Sequence, residues 1–436
     1  MTDNNDLRAE IHQELELVRS ETLRLTNALD DETVCGQFSA LMSPLLWDLG
    51  HIAHFEALWL LRNLGARTDR RQDFDRYFDP IETPRAVRGS LSLPPRDQIL
   101  DYLRQIRSDV IGHLDRQQFD TKLTKNGFVY HMIAQHEAQH QETMLQSLDL
   151  HTECEPFVLA RAERSSSQRV VNPFERVEIA DCSPVIGTHD RTYAYDNERP
   201  AHVTNVNAFA IDKFPVTNAR FLSFINDDGY VREELWSEPG REWLKTHRLR
   251  APQGWIETDA QGWQISRFGH IHDFEPDEIA QHISFFEADA FARWSGARLP
   301  SEAEWETAAG WNVAQQKAST FPWGEEPATP NRANLDHHLW GPSKIGAYPN
   351  GQSAFGVEHM LGDTYEWTSD TFRPYPGFNA YPYREYSDTF FGSEYHVLRG
   401  ASWATTSQCA RNSFRNWDYP IRRQIFAGVR LAWDAD

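Results

Sequence analysis

Two histidines four residues apart are the clearest chemical signal in this chain. His136 and His140 lie in the stretch HMIAQHEAQHQETMLQSL, residues 131–148, whose apolar side chains recur with helical spacing. Residues at i and i+4 project from one helical face with Cβ atoms about 5–6 Å apart, so two imidazoles can reach one metal ion. Burying two imidazoles among apolar side chains without a partner is unfavourable. The pair therefore predicts a metal site on the inner face of a helix.

A stable metal site needs a third ligand, and a second segment offers two candidates. The segment LLWDLGHIAHFEALWLLR, residues 45–62, carries His51 and His54 on one helical stripe, and their spacing does not choose between them. Three imidazoles from two facing helices suit Zn²⁺, or Fe²⁺ with open positions for a substrate and O₂. His131 lies five residues before His136 and faces elsewhere, which indicates a surface or supporting group.

The elements that would position these histidines are four amphipathic helices within residues 1–159. Apolar side chains recur at helical spacing over residues 7–29, 43–65, 99–114 and 128–149. The second segment opens on Ser-Pro, which is typical of an N-cap followed by proline in the first turn, and it closes on glycine. Four such segments predict a four-helix bundle, a fold that builds metal sites from facing helices.

The pattern changes after the bundle. Residues 160–176 are polar and rich in Ser and Arg, which predicts a linker. Residues 177–436 contain short strand-like runs, frequent turns and many aromatic side chains, so the whole chain is predicted to be an α+β protein of two domains. Three helices are predicted in this second half, near residues 216–226, 284–294 and 301–309.

Composition argues against several classes of function. The 436 residues include 43 Lys and Arg against 64 Asp and Glu, and the net charge of −21 argues against nucleic acid or an anionic membrane as the main partner. The four cysteines form no CxxC pair, so neither a disulfide framework nor a zinc knuckle is expected. Neither a signal-peptide pattern nor a long apolar run is present, so we expect a cytoplasmic protein without a membrane span.

Motifs along almost the whole chain resemble one enzyme family. The DinB-like domain of the ergothioneine-biosynthesis sulfoxide synthases, also called hercynine oxygenases, is matched by MSPLLWDLGHIAHFE and HEAQHQETMLQ. The formylglycine-generating-enzyme or sulfatase-modifying-factor domain, a variant of the C-type lectin fold, is matched by DNERPAHVTNVNAFAIDKFPVTNARF, GARLPSEAEWETAAG, RGASW and RNSFRNWDYPIRRQIFAGVRLAW. The resemblance implies a DinB-like four-helix bundle followed by a C-type-lectin-like domain. Formylglycine generation is not expected, because the paired active-site cysteines are missing and Cys409 stands alone.

The resemblance implies a ferrous site and an oxidative reaction. It assigns Fe(II) to His51, His136 and His140, with Glu142 near the ligands, and so favours His51 over His54. The implied reaction uses O₂ to join a thiol to C2 of the imidazole of hercynine, and it yields a sulfoxide. Phe55 departs from the family pattern, which has a polar residue near this position.

The lectin-like half is implied to supply most of the other functional groups. Tyr383, in YPYREYSDTFF, matches the family's catalytic tyrosine, whose phenol can donate a proton near the metal. Two guanidinium groups and one carboxylate would complement the charges of γ-glutamylcysteine, the implied sulfur donor. The implied substrate-binding residues are Gln139, Tyr386, Asn416 and Trp417, together with Arg85, Asp418 and Arg422 for the sulfur donor.

Alternative functions stay open at this point. The donor can be free cysteine or a selenium compound on the same scaffold. A DinB bundle with three histidines can also be a Zn²⁺-dependent thiol transferase, which needs neither O₂ nor a catalytic tyrosine. Ovothiol synthases usually carry a further methyltransferase domain, which is not expected here. A binding module without activity would leave the inward histidines unexplained.

Overall fold

A computed structural model describes residues 4–66, 72–151, 169–258 and 262–435. The chain folds into two compact units: unit 1 comprises Met1–Phe157 and Asp190–Tyr193, and unit 2 comprises Val158–His189 and Ala194–Asp436. Within the predicted linker, residues 160–168 lie outside the described residues, as does Cys154. Arg169, the first described residue of unit 2, forms an ion pair with Glu358 of the same unit at 3.0 Å.

Unit 1 confirms the predicted helical bundle. Its helices are α1 (Asn4–Thr26), α2 (Asp31–Cys35), α3 (Leu45–Ala57), α4 (Asp75–Phe78), α5 (Arg96–Leu114) and α6 (Phe128–Asp149). The long helix α1 packs against α6, and α3 packs against both α5 and α6. The apolar side chains that predicted these helices, such as Ile11, Ile106 and Ile133, are buried in the centre of the unit. Among the described residues, none of the helices has the length and apolar character needed to cross a bilayer.

The ends of the second long helix differ from the prediction. Pro44, and not Ser43, is the N-cap residue, so α3 begins one residue later than a proline in the first turn would imply. The Ser43 hydroxyl does not cap the helix, and it accepts a hydrogen bond from Nη1 of Arg88 at 2.7 Å. The helix continues as a π-helical turn, Leu58–Arg62, and the chain then reaches the left-handed Gly65.

A buried network of charges connects the four long helices. Arg19 of α1 contacts Glu56 of α3 and Glu137 of α6, each at 2.7 Å. Arg107 of α5 contacts the same two carboxylates at 2.5 and 3.0 Å. Breaking a buried ion pair costs about 3–5 kcal/mol, because a charge is left without its partner. The network therefore fixes the orientation of α6, the helix that carries two of the histidines.

The described residues of unit 2 form four α-helices and many short strands. Its helices are α7 (Asn218–Asn226), α8 (Glu238–His247), α9 (Phe285–Trp294) and α10 (Glu302–Gly310). Its strands are β1 (Arg176–Ile179), β2 (Val185–Ile186), β3 (His202–Val203), β4 (Phe209–Asp212), β5 (Trp255–Thr258), β6 (Gly262–Arg267), β7 (His270–Asp273), β8 (Trp311–Asn312), β9 (Lys317–Ala318), β10 (Tyr365–Thr371), β11 (His396–Gly400), β12 (Asn416–Asp418), β13 (Ala427–Gly428) and β14 (Ala432–Asp434).

The strands of unit 2 form several small sheets. A four-stranded sheet has the order β12-β11-β10-β13, in which β10 is antiparallel to β11 and parallel to β13. Three-stranded sheets have the orders β1-β4-β14 and β5-β6-β7. In the four-stranded sheet, Leu398 of β11 pairs with Trp367 of β10 and with Asn416 of β12. This register places the predicted substrate-binding strand β12 at a sheet edge.

Three helices of unit 2 were predicted, and N-caps explain where they begin. Thr217, Ser284 and Ser301 precede α7, α9 and α10, and each side chain accepts a hydrogen bond from a first-turn amide. Ser284 and Ser301 also form capping boxes with Glu287 and Glu304. The helices therefore begin one or two residues later than the predicted segments. Helix α8 was not predicted.

Buried arginines attach the four-stranded sheet to α10. Arg399 of β11 contacts Glu302 and Glu306 of α10 at 2.8 and 2.6 Å. Arg415, which directly precedes β12, contacts Glu302 at 2.6 Å. Because these guanidinium groups are buried with their partners, they hold β12 and its neighbours in a defined position.

Candidate metal centre

The three histidines implied as ligands come together in unit 1. His51 of α3 and His136 and His140 of α6 each place one ring nitrogen within 4.8 Å of the others. In the described part of the chain, these residues form the only group of three or more His, Cys, Asp or Glu with this geometry. The three nitrogen atoms all lie at most about 2.8 Å from one point in their plane, so shifts of at most about 0.7 Å produce the usual metal–nitrogen distance of about 2.1 Å. The group therefore fits one metal ion.

Hydrogen bonds orient two of the three imidazoles. Nδ1 of His51 donates to the carbonyl oxygen of Phe78 at 2.8 Å, and Nδ1 of His140 donates to Oδ1 of Asp48 at 3.2 Å. A carbonyl or carboxylate oxygen only accepts, so the proton of each ring lies on Nδ1 and the lone pair of Nε2 is left for a metal. Carboxylate and carbonyl partners of this type fix the tautomer and orientation of metal-binding histidines.

Burial keeps two of the imidazoles neutral. Desolvation lowers the pKa of His51 well below its usual value, and the nearby ring of His140 lowers it further. Desolvation also lowers the pKa of His136 well below its usual value, and the nearby rings of His140 and His51 add to this shift. Metal binding requires the neutral imidazole. Both side chains are therefore in the protonation state that a metal requires at neutral pH.

Aromatic rings pack against the imidazoles. Trp47 stacks on His51 with ring centroids 4.7 Å apart, and Phe55 stacks on His136 at 4.0 Å. The guanidinium carbon of Arg88 lies 3.3 Å from the centre of a Trp47 ring, and burial lowers the pKa of Arg88 to about 9. Phe55 thus forms part of the wall beside a candidate ligand.

Two other histidines of unit 1 have separate partners. Nδ1 of His54 lies 3.0 Å from Oδ1 of Asp75, and His54 is not part of the three-histidine group. Of the two candidates that spacing left open, the structure brings His51 and not His54 to the α6 pair, and the role of His51 as a metal ligand stays a prediction. His131 is fully buried, which excludes the surface alternative of its prediction and leaves that of a supporting group untested. Its Nδ1 lies 2.5 Å from a carboxylate oxygen of Glu14.

Asp48 is the residue of this site that sequence reasoning missed. Its side chain is only 1% exposed and contacts His140. A carboxylate in an apolar helix, three residues before a candidate ligand, was the available signal, because a buried charge needs a partner. Glu142, the carboxylate that the sequence singled out, is also buried. The carboxylate that contacts Nδ1 of His140 is nevertheless that of Asp48.

Two predicted substrate-binding residues also lie in unit 1. Gln139 is half-buried on α6, next to His140 in the chain. Arg85 is exposed and opens a 3₁₀ segment, Arg85–Ser90, that also carries the buried Arg88. The substrate roles of Gln139 and Arg85 stay predictions.

The predicted aromatic residues of unit 2 form one cluster beside β12. Trp417 stacks on Phe372 with ring centroids 4.2 Å apart and meets the ring of Tyr386 edge-on at 5.7 Å. Tyr386 stacks on Tyr195 at 4.2 Å, and its ring centre lies 6.1 Å from that of Tyr383. Tyr383, Tyr386 and Trp417 are therefore neighbours within unit 2, and their roles in the reaction stay predictions.

The polar residues predicted for the same region also lie near β12. Nε of Arg422 lies 3.4 Å from Oδ2 of Asp418, and the Arg422 side chain is only 3% exposed. Asn416 accepts a hydrogen bond from the backbone amide of Trp417 at 2.9 Å. Burial raises the pKa of the Tyr383 phenol well above its usual value, and nearby Tyr386 adds to this shift. The phenol therefore keeps its proton at neutral pH.

Comparisons with known proteins agree with this two-part architecture. A family model described as the sulfatase-modifying factor enzyme 1-like domain matches residues 166–435, and the DinB superfamily model matches residues 14–144. The chain is therefore a DinB-type helical region joined to a sulfatase-modifying-factor-type domain.

Two curated relatives define the family more closely, and a third matches only part of the chain. The chain is 44% identical to hercynine oxygenase of Mycolicibacterium thermoresistibile, across 98% of this chain and 96% of that protein. It is also 44% identical to hercynine oxygenase of Mycobacterium tuberculosis, across 95% and 96% of the two chains. The formylglycine-generating enzyme of M. tuberculosis is 31% identical over only 42% of this chain and 71% of its own length. The chain belongs to the hercynine oxygenase family and is an oxidoreductase.

Proposed function

We propose that this protein is an Fe(II)- and O₂-dependent sulfoxide synthase of ergothioneine biosynthesis. The proposed reaction joins the thiol of γ-glutamylcysteine to C2 of the hercynine imidazole. The observation that carries the proposal is the three-histidine group of His51, His136 and His140 in a chain that is similar to hercynine oxygenases over nearly its whole length. A bound iron would supply the electron-transfer chemistry that O₂ requires, with positions left open for substrates.

The residues around the histidines would prepare the site for the metal. Asp48 and the carbonyl of Phe78 hold the Nδ1 protons of His140 and His51, which leaves both Nε2 lone pairs available. Phe55, stacked on His136, limits the rotation of that ring. Ligands that are held before the metal arrives bind with a smaller loss of conformational entropy.

Tyr383 is assigned the role of proton donor in this proposal. Its raised pKa keeps the phenol protonated at neutral pH, which is the form that a donor needs. The packed rings of Tyr386 and Tyr195 support its position within unit 2. Exchange for phenylalanine keeps the ring and removes the hydroxyl group that carries the proton, so Tyr383→Phe tests the assignment.

Charge complementarity supports γ-glutamylcysteine as the sulfur donor. The dipeptide carries two carboxylates and one ammonium group, which Arg85, Arg422 and Asp418 complement. The Asp418–Arg422 pair is already formed, so it offers both charges in a fixed arrangement. Aromatic faces suit the trimethylammonium group of hercynine, which cannot donate a hydrogen bond. Hercynine binding is assigned to Trp417, Tyr386, Asn416 and Gln139.

One assay tests the proposal. The protein is loaded anaerobically with Fe(II) and given hercynine, O₂ and either γ-glutamylcysteine or cysteine, and the products are identified by mass. We expect the γ-glutamylcysteine sulfoxide conjugate, and Tyr383→Phe should form less of it and more oxidised thiol. His136→Ala should lose both iron binding and turnover, whereas His54→Ala should retain both because His54 contacts Asp75. Turnover by His136→Ala, or full activity with Zn²⁺ and no O₂, would contradict the proposal.

A further inference from the structure

Unit 2 contains a cavity of about 700 Å³ whose described lining includes none of the candidate residues discussed above. Its lining residues come from three places: the end of α7 and the loop that follows it, helix α8 and the residues after it, and strands β5 and β6. Three separate elements therefore line it, and the cavity is open to solvent on one side.

Four basic side chains line this cavity. Arg241 and Lys245 lie on α8, and Arg248 and Arg250 follow its C-terminus. Arg241 and Lys245 are four residues apart on α8, so they share one face of the helix. Lys245 forms an ion pair with Glu233 at 2.9 Å. The guanidinium groups of the three arginines have no hydrogen-bond or ion-pair partner among the described residues.

The rest of the lining leaves an excess of positive charge. Asp228, Glu233 and Glu257 are its acidic members, so four cations face three carboxylates. The whole chain shows the opposite balance, with 64 acidic against 43 basic residues. The half-buried Trp263 and the ring of Tyr230 complete the walls. The lining thus carries one net positive charge, opposite in sign to the net charge of the whole chain.

Helix capping does not account for these arginines. Cations near a helix C-terminus are favoured by the helix dipole, which explains Lys245. Arg241 lies in the N-terminal half of α8, where the dipole disfavours a cation. Arg248 adopts a left-handed conformation with φ of 53°, at a position that usually carries glycine. The chain therefore keeps guanidinium groups at two positions where helix stability alone favours other residues.

We propose that this cavity binds a small oxyanion, the phosphate or carboxylate group of a metabolite. Each guanidinium offers a planar fork of N–H donors that matches the oxygen atoms of such a group. Arg241, Arg248 and Arg250 supply three of these forks without a competing protein acceptor. Trp263 offers an aromatic surface for the remainder of the ligand.

Calorimetric titration of the iron-loaded, full-length protein tests the proposal. Inorganic phosphate and succinate are titrated separately at constant ionic strength, and the probe that binds identifies the oxyanion. We expect saturable binding that weakens about tenfold or more in Arg241→Gln and in Arg248→Gln. The matched control is Arg293→Gln, which removes the same charge from an exposed arginine of α9 that pairs with Asp289 outside the cavity. The affinity of Arg293→Gln for the oxyanion should equal that of the unmodified protein.

The outcomes separate this cavity from the candidate metal centre. Binding that persists in His136→Ala and weakens in Arg248→Gln supports the proposal. Binding that is lost in His136→Ala and unchanged in Arg248→Gln belongs to the metal centre and overturns it. Absence of saturable binding by either probe at millimolar concentration, or equal weakening in Arg293→Gln, also overturns it. Thermal unfolding of each variant checks that the fold is retained.

Discussion

Asp48 allows a specific test of the proposed metal centre, because it contacts the candidate ligand His140 but is not itself a candidate ligand. Its Oδ1 lies 3.2 Å from Nδ1 of His140, and its side chain is buried. Partners of this type contribute about 10–100-fold to metal affinity, which corresponds to about 1.4–2.7 kcal/mol. The 3.2 Å distance between Asp48 and His140 is at the long end of the hydrogen-bond range. Asp48→Asn keeps an oxygen acceptor and should weaken iron binding about tenfold, whereas Asp48→Ala should approach the upper value.

The assay is an anaerobic competition for Fe(II) between the protein and a coloured chelator. The matched control is Asp75→Asn, which removes a carboxylate at 3.0 Å from His54, a histidine outside the proposed ligand set. Iron affinity should stay unchanged in this control. Thermal unfolding of the metal-free variants separates a loss of affinity from a loss of fold.

Two results would refute the reasoning about Asp48. Equal iron affinity of Asp48→Asn, Asp48→Ala and the unmodified protein would show that the carboxylate does not orient His140 for a metal. A similar loss of affinity in Asp75→Asn would mean that general destabilisation of unit 1, and not the contact with His140, lowers the affinity.

Two further predictions concern protonation and the sulfur donor. The pKa values of His51 and His136 are lowered in the folded protein, so the unfolded chain binds more protons below about pH 6.5. The free energy of unfolding should therefore decrease as the pH is lowered below this value, by up to about 1.4 kcal/mol per pH unit for each histidine. Urea unfolding of metal-free His136→Gln should show a shallower dependence, and an identical slope would contradict this. Arg422→Ala should raise KM for γ-glutamylcysteine more than KM for cysteine, and steady-state kinetics showing equal effects would exclude Arg422 from binding the glutamyl arm.

Local periodicity predicted the elements of unit 1 well. The helical spacing of apolar residues along α1, α5 and α6 follows from backbone geometry, and the same spacing put His136 and His140 on one face. Helix α8 was missed because its residues are mostly polar, although Ser237 caps it and a proline lies in its first turn. These capping signals were present in the sequence, but the weak apolar pattern concealed them.

Helical periodicity could not predict which histidine is the third candidate ligand. His51 and His54 are three residues apart on the same helix, and Nδ1 of each ring has an oxygen partner, the buried carbonyl of Phe78 for His51 and the half-buried carboxylate of Asp75 for His54. The partners, Phe78 and Asp75, come from another segment more than 20 residues later in the chain. Spacing within α3 contains no information on how that segment packs, so the choice required either family resemblance or coordinates.

The sequence by itself determined the two-part architecture, the pair of inward histidines on α6 and the family, because helical period and motif order are properties of contiguous residues. The tertiary structure decided that Asp48 orients His140, that Phe55 packs on His136 and that His131 is buried. It also brought Arg241, Arg248 and Arg250 to one cavity. These features depend on contacts between side chains from separate elements, and packing, not local spacing, determines which side chains meet.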